Sequence, residues 1–184
     1  MSVLNPDKFP IVLADEATRA TYCFRVLDHT PVAGATDVLT LRGSATKRVK
    51  VTRIKVIGTA TAASQLDLYI TKRTAANTGG TSTAPTISPR DSNNPTATAV
   101  GALYSVNPTA LGAGVGIEGT ILFLAASGTP TGPSQEFELL FGQDNTQSLV
   151  LNGIAQSVAI NFNAQTQPAG AKFYYMIEWV EEDL

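Results

Sequence analysis

Apolar and polar residues alternate along most of this 184-residue chain, and clusters of Gly, Pro, Asn and Asp break the alternation at fairly regular intervals. A period of two marks β-strands with one buried face. The clearest case runs from Lys47 to Arg73, two strands joined by a small-residue turn over Gly58 to Ser64. In the second strand Leu66, Leu68 and Ile70 alternate with Asp67, Tyr69 and Thr71. In the first, Val49 and Val51 share one face while Ile54 and Val56 fall on the other. That slip predicts a bulge or a change of sheet near Thr52–Arg53. The two strands read as a hairpin around which the rest of the chain pairs.

The other elements follow the same logic. Residues 1–10 carry two prolines and no periodicity and read as an arm. The segment from Ile11 to Ala20 is ambiguous, and ADEATRA within it is the one credible short helix. Strands are expected over Thr21–Leu27, Asp37–Leu41, Ala97–Ser105, Thr120–Ala125, Glu136–Phe141, Ser148–Leu151 and Ser157–Phe162. The last of these reads as the second half of a hairpin turned by Asn152-Gly153. The final strand, Lys172–Val180, alternates Phe173, Tyr175, Ile177 and Trp179, which places Trp179 in the core. Thr129–Ser134 and Gln143–Asn145 read as turns. Between Thr74 and Thr96 lies a long stretch of small, polar and turn-forming residues, expected either to project and order against a partner or to form a floppy solvated excursion. About nine or ten short strands with almost no helix predict a single all-β domain over residues 11–184, an antiparallel β-sandwich with jelly-roll topology preferred.

Composition changes the picture in one respect. Charged residues make up only 15% of the chain, well below the usual quarter, which suits a protein that buries much of its exterior against neighbours. The net charge is −2, but it is unevenly spread. From Arg42 to Arg90 there are nine basic residues against Asp67 alone, and from Asp91 onward nine acidic residues against Lys172 alone. Two readings stay open. The basic strand, with Arg48, Lys50, Arg53 and Lys55, and Arg90 beyond it, forms an interface for an acidic partner. Alternatively, it faces the acidic C-terminal strand in one sheet and the charges cancel. On the first reading, reversing those four strand residues to Glu weakens docking without unfolding the domain. Cys23 is the only cysteine, so no internal disulfide forms, and its apolar neighbours predict a buried, inert thiol. No apolar run reaches about 18 residues and the N-terminus has no signal-peptide pattern, so no membrane association is expected.

Chemistry is searched for with little return. His29, the one histidine, stands two residues before a proline and reads as a surface turn residue. No nucleophile elbow or zinc spacing occurs. Gly114, Gly116 and Gly119 spell a dinucleotide fingerprint, but an apolar strand and no helix follows it. The carboxylates Glu136 and Glu138, and Glu178 with Glu181, Glu182 and Asp183, read as solvated faces before they read as acid–base pairs. Asp91–Asn94 and Asp144–Asn145 are turn chemistry and do not have calcium-loop spacing. The basic strand lacks the interleaved aromatics that single-stranded nucleic acid requires. No catalytic, metal or cofactor residue is assigned, and an enzyme is not expected. Tyr69 and Tyr174, opposite in phase to the core positions of their strands, form the platform of an alternative carbohydrate-binding module.

Three stretches carry a resemblance: LYITKRTAANTGGTSTAPTISPRDSNNPTATAV, SLVLNGIAQSVAINFN and FYYMIEWVEE. Together they resemble small structural proteins of tailed bacteriophages, across roughly residues 47–182. The resemblance implies a virion protein, made in the host cytoplasm and assembled into particles. Its implied role is a capsid decoration or cement protein, often trimeric, bound to the major capsid protein. A tail, neck or head-fibre component is the nearest alternative.

Overall fold

The computed structural model describes residues 19–128, 135–143 and 146–184. Within them the chain is all-β and contains no helix. The strands are β1 (Ala20–His29), β2 (Ala35–Arg42), β3 (Lys47–Ala60), β4 (Ser64–Arg73), β5 (Thr81–Thr83), β6 (Ile87–Pro89), β7 (Val100–Val106), β8 (Gly114–Ala126), β9 (Glu136–Leu140), β10 (Leu149–Leu151), β11 (Ser157–Gln165) and β12 (Lys172–Asp183). The expected arm, most of the ADEATRA segment, and the turns at Thr129–Ser134 and Asp144–Asn145 lie outside the described residues.

The twelve strands form one mixed, curled sheet with two halves. One half runs β6–β1–β12–β3, and the other β5–β7–β2–β11–β4–β8. They join where Thr59 and Ala60 of β3 meet Ala125 and Ala126 of β8, the one parallel pairing among the described residues. The strand β3 organises its half, as the sequence predicts. β12 pairs along its full length on one side. The other side is shared in turn by β10 at Val49–Val51, β9 at Arg53–Ile57 and β8 at Thr59–Ala60.

The predicted slip is a bulge. Val51 lies opposite Trp179 and Arg53 opposite Glu178, leaving Thr52 as the extra residue. Its hydroxyl donates to the Glu178 carbonyl at 3.2 Å. The bulge restores the phase, so Val49, Val51, Ile54 and Val56 are all buried in one core.

The expected hairpins are absent. Among the described residues no strand pairs with its immediate neighbour in sequence. β4 crosses to the other half, where it lies between β8 and β11. The Asn152-Gly153 turn, with Gly153 at φ 71°, likewise passes from β10 on β3 to β11 between β2 and β4. Alternation specifies which face of a strand is buried, not which strand lies beside it. The apolar faces of β3 and β4 instead meet in a single core. Gly58 marks the tight approach within it, because a Cβ there would lie 2.4 Å from Leu124 and 2.8 Å from Phe173. The aromatic ladder of β12 fills the core, with the Trp179 ring centroid 6.0 Å from that of Tyr22 and 5.6 Å from that of Phe24.

The stretch 74–96 does not project. It lies along the body as a strap containing β5 and β6, which are the two outermost strands of the sheet path. β5 pairs with β7 and β6 with β1. Residues 84–86 alone link them, so the two edges of the curled sheet lie within about 14 Å of each other, the longest reach of that link. Pro85 sits where β7 and β1 converge: a Cβ on Gly101 would lie 2.8 Å from Pro85 Cγ and 2.9 Å from Phe24 Cε1.

Candidate functional site

The five residues proposed as an interface lie on or beside the outer face of the β3 half, and four of them form ion pairs within the chain. Lys50 Nζ is 2.5 Å from Glu182 on β12. Lys55 Nζ is 2.6 Å from Glu136 and 3.8 Å from Glu138 on β9, and Arg53 pairs with Glu138. Arg90, at the end of the strap, pairs with Glu178, and the hydrogen bond raises the guanidinium pKa further. Lys47 and Asp183 pair at the strand ends on the side of Val49 and Glu181, with the Asp183 carboxyl held below its ordinary range by the hydrogen bond from Lys47. Of the two readings left open by the charge distribution, pairing within the sheet is the one these contacts display. Arg48 differs. Its cross-strand neighbour is Glu182, but that carboxylate is engaged by Lys50, and the exposed Arg48 has no ion pair among the described residues. Reversing all four strand charges would therefore disrupt β9 and β12 contacts as well as any docking surface.

Of the carboxylates considered for acid–base work, all but Glu181 are accounted for in the same way. Glu136, Glu138, Glu178, Glu182 and Asp183 all take a cation of the sheet. Among the described residues no group of three His, Cys, Asp or Glu side chains could hold a metal ion.

Two buried carboxylates have a structural role: Asp37, which the sequence did not single out, and Glu181, expected on a solvated face but buried. Asp37, fully buried on β2, accepts from Arg73 Nε at 3.0 Å and Nη2 at 2.7 Å, Asn77 Nδ2 at 2.8 Å and Asn161 Nδ2 at 2.6 Å. Asn77 continues the network by accepting from Gly112 N at 2.8 Å. Glu181, buried on β12, accepts from Thr98 N at 2.9 Å, Thr98 Oγ1 at 2.6 Å, Ala99 N at 2.9 Å and Trp179 Nε1 at 3.1 Å. One carboxylate thus holds the start of the strap and the other holds the segment just past its end. Multiple donors satisfy each buried charge, the condition under which such burial is tolerated.

Other candidates are dispersed. Tyr69 lies on β4 and Tyr174 on β12, with β8 and β3 between them in the strand order, so they are not cross-strand neighbours. His29 is the last residue of β1 and is half-buried, its ring centroid 5.8 Å from that of Tyr175. Burial first, and Lys172 second, lower its pKa from 6.5. Cys23 is free and half-exposed, so the expectation of full burial does not hold: its neighbours Tyr22 and Phe24 take the core face and leave it on the other.

Apolar side chains are exposed on both sides of a bulge in β8, where Ile117 is the extra residue opposite β4. Val115, Ile117, Ile121 and Phe123 are exposed, with Phe123 at 54%, and Glu118 is the one charge in the strand. β4 covers one edge of β8. Along the other, β3 pairs only with Ala125 and Ala126, and Gln135 Oε1 accepts from Phe123 N at 3.0 Å. Searched against protein-family models, curated proteins and solved structures, the chain finds no match.

Proposed function

We propose that this chain is a non-enzymatic structural protein of a tailed-phage virion, a decoration protein that binds the major capsid protein and stabilises the head lattice. The observation that carries this reading is β8. A long strand with one edge largely open among the described residues and four exposed apolar side chains is an aggregation hazard in a dispersed monomer, and a useful surface in a particle that covers it. The low charge content supports the same conclusion, and the resemblance of three stretches to tailed-phage structural proteins supplies the setting. The two halves of the sheet, with the chain repeatedly crossing between them, are read here as a jelly-roll-like sandwich strapped at its edges. Such a body is rigid enough to clamp neighbouring subunits. A trimer about a lattice axis would add avidity.

The test is the copy number of this chain in purified particles from its source, by quantitative mass spectrometry against the major shell protein. Hundreds of copies per particle support lattice decoration. A handful or a few dozen place the chain in the tail, neck or fibres. Absence from particles overturns the virion reading.

A further inference from the structure

A cleft of about 550 Å³ opens between β3, the end of β4 and the segment around β10. Its lining includes Arg48, Lys50 and Lys72, together with Gln147, Ser148 and Asn152. No carboxylate lines it among the described residues. The volume is that of a small-molecule site, and the lining combines three cations with side-chain amide and hydroxyl donors.

The ion pairs of the sheet show why this spot differs from the rest of the basic face. Of the three cations, only Lys50 has a carboxylate partner among the described residues. Arg48 loses its cross-strand carboxylate to Lys50. Lys72 is half-buried, and its cross-strand neighbours are Val115 on β8 and Val158 on β11, neither of which can balance its charge. A partly desolvated cation without a counter-charge is unfavourable, and an anion entering the cleft relieves that cost. Arg48 brings a planar fork suited to two oxygens of one anion, and Lys72 a point charge. Gln147, Ser148 and Asn152 bring neutral donors for the remaining oxygens.

We propose that this cleft binds a tetrahedral oxyanion, phosphate or sulfate, either free or as an ester on a small molecule. The inference does not depend on the virion reading, since it rests on the cleft alone.

Isothermal titration calorimetry of the full chain tests it, with inorganic phosphate and glucose 6-phosphate as probes against a chloride control of equal ionic strength. Saturable binding is expected for phosphate and absent for chloride. Arg48→Gln and Lys72→Gln each weaken binding by about tenfold or more, the loss of one charge-assisted contact. Arg25→Gln, an exposed arginine outside the cleft, binds as the unaltered chain does. Tighter binding of glucose 6-phosphate identifies an ester as the ligand, and equal or weaker binding identifies the free anion. Circular dichroism checks that each variant folds. Should Lys72→Gln fail that check, phosphate-dependent NMR shifts of the Gln147 and Asn152 side-chain amides in the unaltered chain provide the second readout. The proposal is overturned by heats no larger than chloride gives, by unchanged affinity in Arg48→Gln, or by binding confined to long polyanions such as single-stranded DNA.

Discussion

Two regions of this protein use the same chemistry, carboxylate against cation or amide, to different ends. Along β3 three pairs are laid out in a row on the outer face, Lys50 with Glu182, Arg53 with Glu138 and Lys55 with Glu136, and a fourth, Lys47 with Asp183, stands at the strand's end on the side of Val49 and Glu181. Each is reached by water on at least one side, and each joins strands already held by backbone hydrogen bonds. At Asp37 and Glu181 the carboxylate is buried, and its donors include groups outside the strands, Asn77 in the strap and Thr98 and Ala99 just past it, beside Arg73, Asn161 and Trp179 of the sheet. The comparison separates charge as trim from charge as fastening. In the row, a lost pair is replaced by water. At the two buried sites, a lost carboxylate leaves several donors with nothing to bond, and the strap loses an anchor.

The largest expected effect is therefore at Asp37. Asp37→Ala leaves the guanidinium of Arg73 and the amides of Asn77 and Asn161 unsatisfied in a closed space. Removing one partner of a buried pair typically costs about 3–5 kcal/mol, and urea unfolding should show a loss of that size. A loss under about 1 kcal/mol would mean that water enters the site, and would erase the distinction between the two regions.

Glu181→Gln follows. It keeps the shape but places an amide donor among donors from Thr98, Ala99 and Trp179. Loss of charge-assisted bonds gives about 1.5–3 kcal/mol. The sharper readout is hydrogen exchange: the amides of Thr98 and Ala99 should exchange faster while those of β3 and β12 keep their protection. Uniform acceleration across the sheet would show that Glu181 supports the whole fold and not the strap in particular.

The two regions also differ in how far they could be read in advance. The slip between Val51 and Ile54 revealed the bulge because a break in period two is visible in a single strand. The inward series Phe173, Tyr175, Ile177 and Trp179 gave the core face of β12. The same parity continues to Glu181, a signal that was present but read as part of a solvated acidic tail. Asp37 gave less. Parity places it with Leu39 and Leu41, and the register shift against β11 turns it to the opposite face, beside Asn161. Charge complementarity pointed to one strand partnership, the basic β3 beside the acidic β12, but the other partners were not legible, because no strand pairs with its neighbour in sequence and hairpin logic looks only at neighbours. The strap was misread for a related reason: nothing local in TAANTGGTSTAPTISPRDSNNPT indicates that its anchors lie on β2 and β12.

Within the row, effects should be small. Lys55→Gln and Glu136→Gln, singly and together, form a double-mutant cycle whose coupling is expected at about 0.2–1 kcal/mol, and weaker in 1 M salt. A coupling of several kcal/mol, insensitive to salt, would place β9 in the same class as the buried sites.

The smallest effect is the pH dependence of the pair at the end of β3. The hydrogen bond from Lys47, then its charge, lowers the Asp183 carboxyl below 3.8. A carboxyl with a depressed folded-state pKa contributes stability that is present above its unfolded value and lost as pH falls through the folded one. The melting temperature of the unaltered chain should thus exceed that of Asp183→Asn by a small, constant margin at neutral pH. The margin should close only as pH drops below 3.8, and high salt should reduce it throughout, because the pair is open to solvent. A margin that persists at low pH would mean that Asp183 acts through strand pairing with Lys47 and not through its charge. The row would then hold β12 to β3 by its backbone alone, with the side chains serving only to keep like charges apart.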